Sequence, residues 1–264
     1  MERCLRNLVE LGPQRFFSQY PGVSCDRPLY RIPGNFAMLI YLWRLGCHLL
    51  RYLPERLLYR EKWFVAYRSS KSTALTAGKN GSGGWKIAKA PRGHFYADPF
   101  VVNWQGQQAV FFEDYDFSRE KGAIACFQIG TDGKASAARQ VLDLQEHLSY
   151  PYLFSWEGGL YMLPETSAAA KLALWRCVDF PGKWEQAGVL LDGVRCVDAS
   201  LVFWQEKYWL FACMPEDPAD SSRELSIFYA QNPLGPWTAH PLNPVKSDIR
   251  SARPAGHPFV HEGK

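Results

Sequence analysis

The sequence predicts an all-β protein, a β-propeller of the five-bladed type, preceded by a short helical segment. Three observations predict it. A strand–turn–strand cassette occurs three times and opens a fourth, and its leading residues, Asp98, Tyr150, Asp198 and Arg253, stand 52, 48 and 55 positions apart. A repeat of roughly 50 residues with about four strands is the length of a propeller blade. Aromatic residues make up 15% of the 264, with 10 Trp, which suits sheets packed face to face, and little after residue 62 has a helical period.

The elements follow in chain order. Residues 1–60 form a basic segment, since the first 68 residues hold 11 Lys and Arg against 5 Asp and Glu, whereas the rest hold 19 against 21. Its first part is irregular and bears Pro and Arg. Asn35 then caps a helix over 36–53, which Pro54 interrupts. Arg44, His48, Arg51 and Glu55 share one face of it. The uncharged run Phe36–Trp43 is too short to cross a bilayer and starts too late for a signal peptide. Three readings remain for such a helix: packing against the propeller or a neighbouring domain, a place at a lipid interface as a peripheral membrane contact, or a transmembrane helix.

Residues 61–264 form the propeller. The cassettes read Ala97–Asp114, Ser149–Thr166 and Val197–Phe211, each a hairpin around a short turn at Gly106, Gly158 or Glu206-Lys207. Outer strands follow at Ala123–Ile129, Leu172–Val178 and Leu225–Ala230, separated by Gly- and Pro-bearing turns such as Thr131–Lys134 and Phe180–Lys183. The fourth cassette opens at Ala252-Arg253-Pro254 and reaches Phe259–Lys264. Trp63–Tyr67 is expected to close the last blade. Five blades need about 250 residues, so the count implies a propeller incomplete at its C-terminus. Trp104, Trp156 and Trp204 recur beside the hairpin turn and are read as packing residues.

The innermost strand of every blade lines a common axis, so Asp98, Tyr150, Asp198 and Arg253 are expected to converge on one pocket. The competing reading gives Asp98 and Asp198 only turn-capping duty. His94 and His147 precede two cassettes and are further candidates to face the pocket. The mildly acidic propeller part does not suggest nucleic acid. Seven Cys without a CxxC or paired spacing imply free thiols and a cytoplasmic setting, peripheral to a membrane if the helix contacts one. No metal-ligand spacing, phosphate loop or nucleophile elbow is present, so no cofactor is implied.

Several strings carry a family resemblance: His94–Phe100, Phe112–Asp116, His147–Pro151, Leu163–Ser167 and Ser251–Gly256. In order, they resemble the N-terminal domain of plant glucosamine inositolphosphorylceramide transferase and its bacterial relatives, from about residue 60 onward. The resemblance implies the five-bladed propeller shared by glycoside hydrolase families 43, 62 and 68. It implies a carbohydrate context, with a glycosyltransferase domain following in the plant enzymes and a formyltransferase-like domain upstream in some bacterial relatives.

Those hydrolases use a carboxylate base opening the first blade, a second Asp that tunes its pKa, and a Glu acid opening a later blade, the pair of carboxylates that glycoside cleavage requires. Asp98 matches the base and Asp198 the tuning Asp. Arg253 stands where the acid is expected, and a guanidinium does not donate a proton at neutral pH but binds carboxylate or phosphate bidentately. Glu113 and Glu165, at the ends of the next strands, are substitutes for the acid or partners of Arg253. The leading expectation is recognition of a glycan, sugar nucleotide or glycolipid headgroup, with a saccharide or sugar phosphate held by Tyr150, Arg253, His94, Glu113 and Glu165. The alternatives are a glycoside hydrolase or transglycosylase using Asp98, and a protein-interaction scaffold.

Overall fold

A computed structural model describes residues 2–19, 32–58, 62–68, 84–215 and 223–258. The chain divides into two compact units, Met1–Arg60 and Glu61–Lys264. In the first, helix α1 runs over Glu2–Gln19, broken at Gly12 (φ 73°, ψ 156°), with Pro13 opening its second part. This corrects the expectation of irregular sequence there: a glycine takes the positive φ of the break and a proline is tolerated at the start of a helix. Helix α2 spans Asn35–Leu58 and continues through Pro54, which was expected to end it. One missing N–H is tolerated when the flanking turns carry Leu, Arg and Glu.

The second unit is mostly strand. After the short pair β1 (Val65–Tyr67) and β2 (Lys86–Ala88) come three blades. The first contains β3 (His94–Trp104), β4 (Gln107–Asp116), β5 (Lys121–Ile129) and β6 (Arg139–Leu142). The second contains β7 (Ser149–Trp156), β8 (Gly159–Glu165), β9 (Lys171–Asp179) and β10 (Lys183–Asp192). The third contains β11 (Val197–Trp204), β12 (Lys207–Cys213), β13 (Glu224–Ala230) and an outer edge made of two short pieces, β14 (Thr238–Ala239) and β15 (Lys246–Ser247). Each blade is an antiparallel meander, β3-β4-β5-β6, β7-β8-β9-β10 and β11-β12-β13-β14, and among the described residues the sheets do not close into a ring. The innermost strands neighbour one another, β3 against β7 and β7 against β11, and define the axis.

Three identical devices set each inner hairpin. Trp104 pairs with Gln107, Trp156 with Gly159 and Trp204 with Lys207, leaving two-residue turns. Both turn residues have positive φ in every blade: Gln105 and Gly106, Glu157 and Gly158, Gln205 and Glu206. This is the primed turn whose twist matches that of paired strands. The third turn is thus Gln205-Glu206, and Lys207 already belongs to β12.

The strands of the first blade are buried on both faces, as in a propeller interior. Ala109, Phe111, Ile124 and Cys126 join the main core, which continues through Tyr152, Leu163, Leu174 and Leu210 of the other blades. The alternate residues Val110, Phe112, Ala125 and Phe127 form a second cluster with Tyr96 and Val65. Tyr152 Oη donates to the Leu201 carbonyl at 2.6 Å and ties the second blade to the third. Two sequence expectations need correction. The strand containing Val65 pairs with β2 and not with the last blade, because its apolar residue is claimed by the outer face of the first blade. The opening of the fourth cassette is irregular backbone at residues 251–258, with no strand, and Phe259–Lys264 lie outside the described residues.

Candidate functional site

The site is made by a bulge repeated in each blade. Between the pairs Ala97–Glu113 and Phe100–Phe111, two residues of β3 oppose one of β4. The same shift separates Ser149–Glu165 from Tyr152–Leu163, and Val197–Cys213 from Ser200–Phe211. The first bulged residue is left-handed in all three: Asp98 (φ 48°), Tyr150 (φ 45°) and Asp198 (φ 53°). A bulge bends the strand and re-aims a side chain, here toward the axis. The second bulged residue is Pro99 or Pro151 in two blades, at a place where a missing N–H costs no ladder bond. The residue paired just before each bulge is Glu113, Glu165 and Cys213 in turn, so these three are equivalent positions and all face buried surroundings.

The four leading cassette residues meet as expected. Asp98, Tyr150, Asp198 and Arg253 line one cavity of about 710 Å³ together with Glu113 and a mouth formed by Trp63, Phe64 and Phe95. That volume is within the range of small-molecule sites. Arg253 arrives on the irregular 251–258 segment rather than on a strand. It donates Nε to Asp198 Oδ2, and Nη2 lies 3.4 Å from Oδ1. Tyr150 Oη anchors the same segment: it accepts from Gly256 N at 2.8 Å, donates to Gly256 O at 3.0 Å, and lies 2.9 Å from Ser200 Oγ. Tyr150 therefore holds the loop that carries Arg253, in addition to lining the cavity.

The carboxyl groups differ in environment. Burial above all, then the charge of Asp98, pushes Glu113 up to about 8, so it holds its proton at neutral pH. Burial and Asp198 also raise Asp98, opposed by Arg253 and a backbone bond from Tyr150. Glu165 stands close to Asp198, and burial, then Asp198, raises its pKa; its Oε2 is buried with no hydrogen-bond partner. Glu165 does not line the cavity.

The two histidines take different places. His94, expected as a ligand residue, does not line the cavity: its Nδ1 is 2.8 Å from Asp114 Oδ1 and its Nε2 3.9 Å from Asp116 Oδ2. The residue at its strand-opening position faces the neighbouring strand β4, four positions before the bulge that turns side chains to the axis. His147 Nδ1 accepts from Gly122 N at 3.0 Å. In the neutral ring that leaves the proton on Nε2, which lies 3.5 Å from Glu113 Oε1. Burial, then Lys121, lowers the His147 pKa below its usual 6.5. His147 thus joins Glu113 to the half-exposed surface. Gly122 fits the same corner, since a Cβ there would collide with the Leu148 carbonyl and stand 2.6 Å from Glu113 Oε1.

Trp63, Phe64 and Phe95 escaped the sequence reading. Trp63 and Phe64 belong to no cassette, and their only signal is an exposed aromatic pair beside a strand. The packing assignment holds for Trp104 and Trp156, which lie against the core, while Trp204 is 43% exposed. Among the described residues, no group of three or more His, Cys, Asp or Glu is arranged to hold a metal ion.

Comparison with known proteins bears on the family and the fold. Residues 85–264 match the family model described as glucosamine inositolphosphorylceramide transferase 1, N-terminal. Glucosamine inositolphosphorylceramide transferase 1 of Oryza sativa subsp. japonica is 35% identical over 174 residues, covering 64% of this chain and 23% of the rice protein. Its Arabidopsis thaliana counterpart is 33% identical over the same extent. The chain therefore spans about a quarter of the length of these relatives. Among solved structures, a family-43 glycoside hydrolase, a β-1,3-galactosidase, superimposes with a TM-score of 0.52 at 14% identity, over 69% of this chain and 43% of that one, which establishes a shared fold.

Proposed function

Because the chain belongs to the family of glucosamine inositolphosphorylceramide transferase N-terminal domains, we propose that its axial cavity binds a saccharide and presents it for glycosyl transfer. The chain is a carbohydrate-related propeller domain; the ligand and the transferase partner are the proposal. The observation that carries it is the convergence of Asp98, Tyr150, Asp198, Arg253 and Glu113 under an aromatic mouth. The Asp98 carboxyl group accepts hydrogen bonds from hydroxyls, while protonated Glu113 both donates and accepts. Trp63, Phe64 and Phe95 offer π faces to the C–H faces of a sugar ring. Arg253 already gives two donors to Asp198, so the site favours a hydroxyl-bearing ring over a phosphate group clamped by arginine alone.

The test is calorimetric titration of the whole chain with free hexoses, methyl glycosides, hexose phosphates and the headgroup glycans of inositol phospholipids. Saturable binding that Asp98→Asn and Arg253→Ala each weaken by roughly 10–100-fold, the scale of a hydrogen bond to a charged group, supports the proposal. A panel with no binder, or binding indifferent to both substitutions, refutes it.

One observation favours a second reading, glycoside hydrolysis. An ionisable Asp98 and a protonated Glu113 share the cavity, as an acid and a base must, and His147 links Glu113 to the surface from which a proton would return. Turnover of aryl glycosides abolished by both Asp98→Asn and Glu113→Gln would establish that reading.

A further inference from the structure

Helix α2 exposes more apolar surface than a water-facing helix carries. Phe36, Leu39, Tyr41, Leu42, Trp43 and Leu50 are all more than half exposed, from 54% to 77%. At 100° per residue these six do not lie on one stripe: Phe36, Trp43, Leu50, Leu39 and Leu42 cover one broad arc and Tyr41 falls opposite. Between Asn35 and Pro54 the charges are confined to a narrow strip, Arg44 and Arg51, with no acidic residue, and Glu55 and Arg56 follow Pro54. No helix among the described residues is long and apolar enough to cross a membrane, and Phe36–Arg51 extends only about 24 Å against about 30 Å of hydrocarbon.

We propose that α2 is an interfacial helix that lies in the surface of an anionic lipid bilayer, apolar arc inward, with Arg44 and Arg51 at the headgroups. Three features favour lipid over a second copy of the helix. A helical partner covers a narrow seam, whereas acyl chains wet an arc of any width. Pairing of two copies through the apolar arc would leave Arg44 and Arg51 on the outer side of the pair, with no acidic residue between Asn35 and Pro54 to meet them. Trp43 and Tyr41 have the apolar body and polar tip that concentrate at membrane–water boundaries. Anionic headgroups supply the charge that the strip lacks, and the basic balance of the first 68 residues adds to that attraction. The inference is independent of what the propeller cavity binds.

The experiment is flotation of the whole chain with vesicles of phosphatidylcholine alone or with 30 mol% phosphatidylserine, at low and high salt. We expect binding to the anionic vesicles, several-fold weaker at high salt as surface charge is screened. Arg44→Gln and Arg51→Gln should each cost about fivefold, and Trp43→Ser with Leu50→Ser should abolish flotation while circular dichroism and dimer-free elution stay those of the parent. Equal flotation of parent and substituted proteins, or none with either vesicle, overturns the proposal. So does light scattering that shows a dimer which Trp43→Ser with Leu50→Ser dissociates, since the face would then belong to a second copy.

Discussion

Glu113 makes the stability of the propeller depend on pH in a calculable way. In the folded protein burial and Asp98 raise its pKa to about 8 from 4.5. Between those values the folded chain holds a proton that the unfolded chain has released, so raising the pH favours unfolding. The loss is absent below 4.5, grows through the window and is complete above 8. At about 1.36 kcal/mol per pH unit, the step from pH 6 to pH 8 amounts to roughly 2–3 kcal/mol. Glu113→Gln keeps the size of the neutral acid and removes the titration. His147, whose pKa burial lowers, titrates in the same window with the opposite sign, and it is common to both proteins. Urea unfolding of both proteins, followed by tryptophan fluorescence from pH 6 to 9, isolates the effect as a difference of differences. The lead of the Gln protein over the parent should grow by about 2–3 kcal/mol between pH 6 and pH 8, with little further gain above that. A gap that stays constant with pH, or that closes as pH rises, would show that Glu113 is ionised in the folded state and would remove the basis for a neutral acid in the cavity.

Two further outcomes follow from local geometry. Gly122→Ala places a methyl group against the Leu148 carbonyl and Glu113 Oε1, so it should destabilise by about 1–3 kcal/mol in thermal melts and flatten the pH dependence if Glu113 is displaced. Asp98→Gly relieves a left-handed non-glycine residue and should raise stability by about 1 kcal/mol while eliminating saccharide binding by calorimetry; lower stability would mean that the Asp98 side chain is itself a structural tie.

The inner hairpins were legible because each repeats Ala-Asp-Pro, Ser-Tyr-Pro or Val-Asp-Ala before an aromatic run and a turn, and spacing near 50 residues forces equivalent positions to the axis. Asp98, Tyr150 and Asp198 were readable as a set for that reason. Arg253 was placed correctly at the cavity but wrongly on a strand: local sequence names the residue, whereas Tyr150, 103 positions earlier, holds the segment by bonding Gly256. Glu113 and Glu165 looked alike at strand ends, yet one lines the cavity and the other does not. His94 looked like a pocket residue because it precedes Asp98, but pairing with Asp114 keeps it outside. Trp63 and Phe64 belong to no repeat, and only tertiary packing brings them to the mouth. Helix α1 was missed because Gly12 and Pro13 interrupt the pattern that would have signalled it.

The bulge shared by Asp98, Tyr150 and Asp198 has a consequence for how such a domain changes over time. In each blade the backbone shape at that point is fixed by the register shift and not by the side chain, since an acid and an aromatic phenol occupy it alike. The position works as an exchangeable socket: a new side chain plugged into it alters what the cavity reads without re-registering a strand or disturbing the alternating core beneath. A lineage could therefore trade one ligand for another through three or four substitutions on the axis, leaving the blades untouched, and relatives with the same cassettes should be sorted by their residues at these sockets before they are sorted by overall likeness.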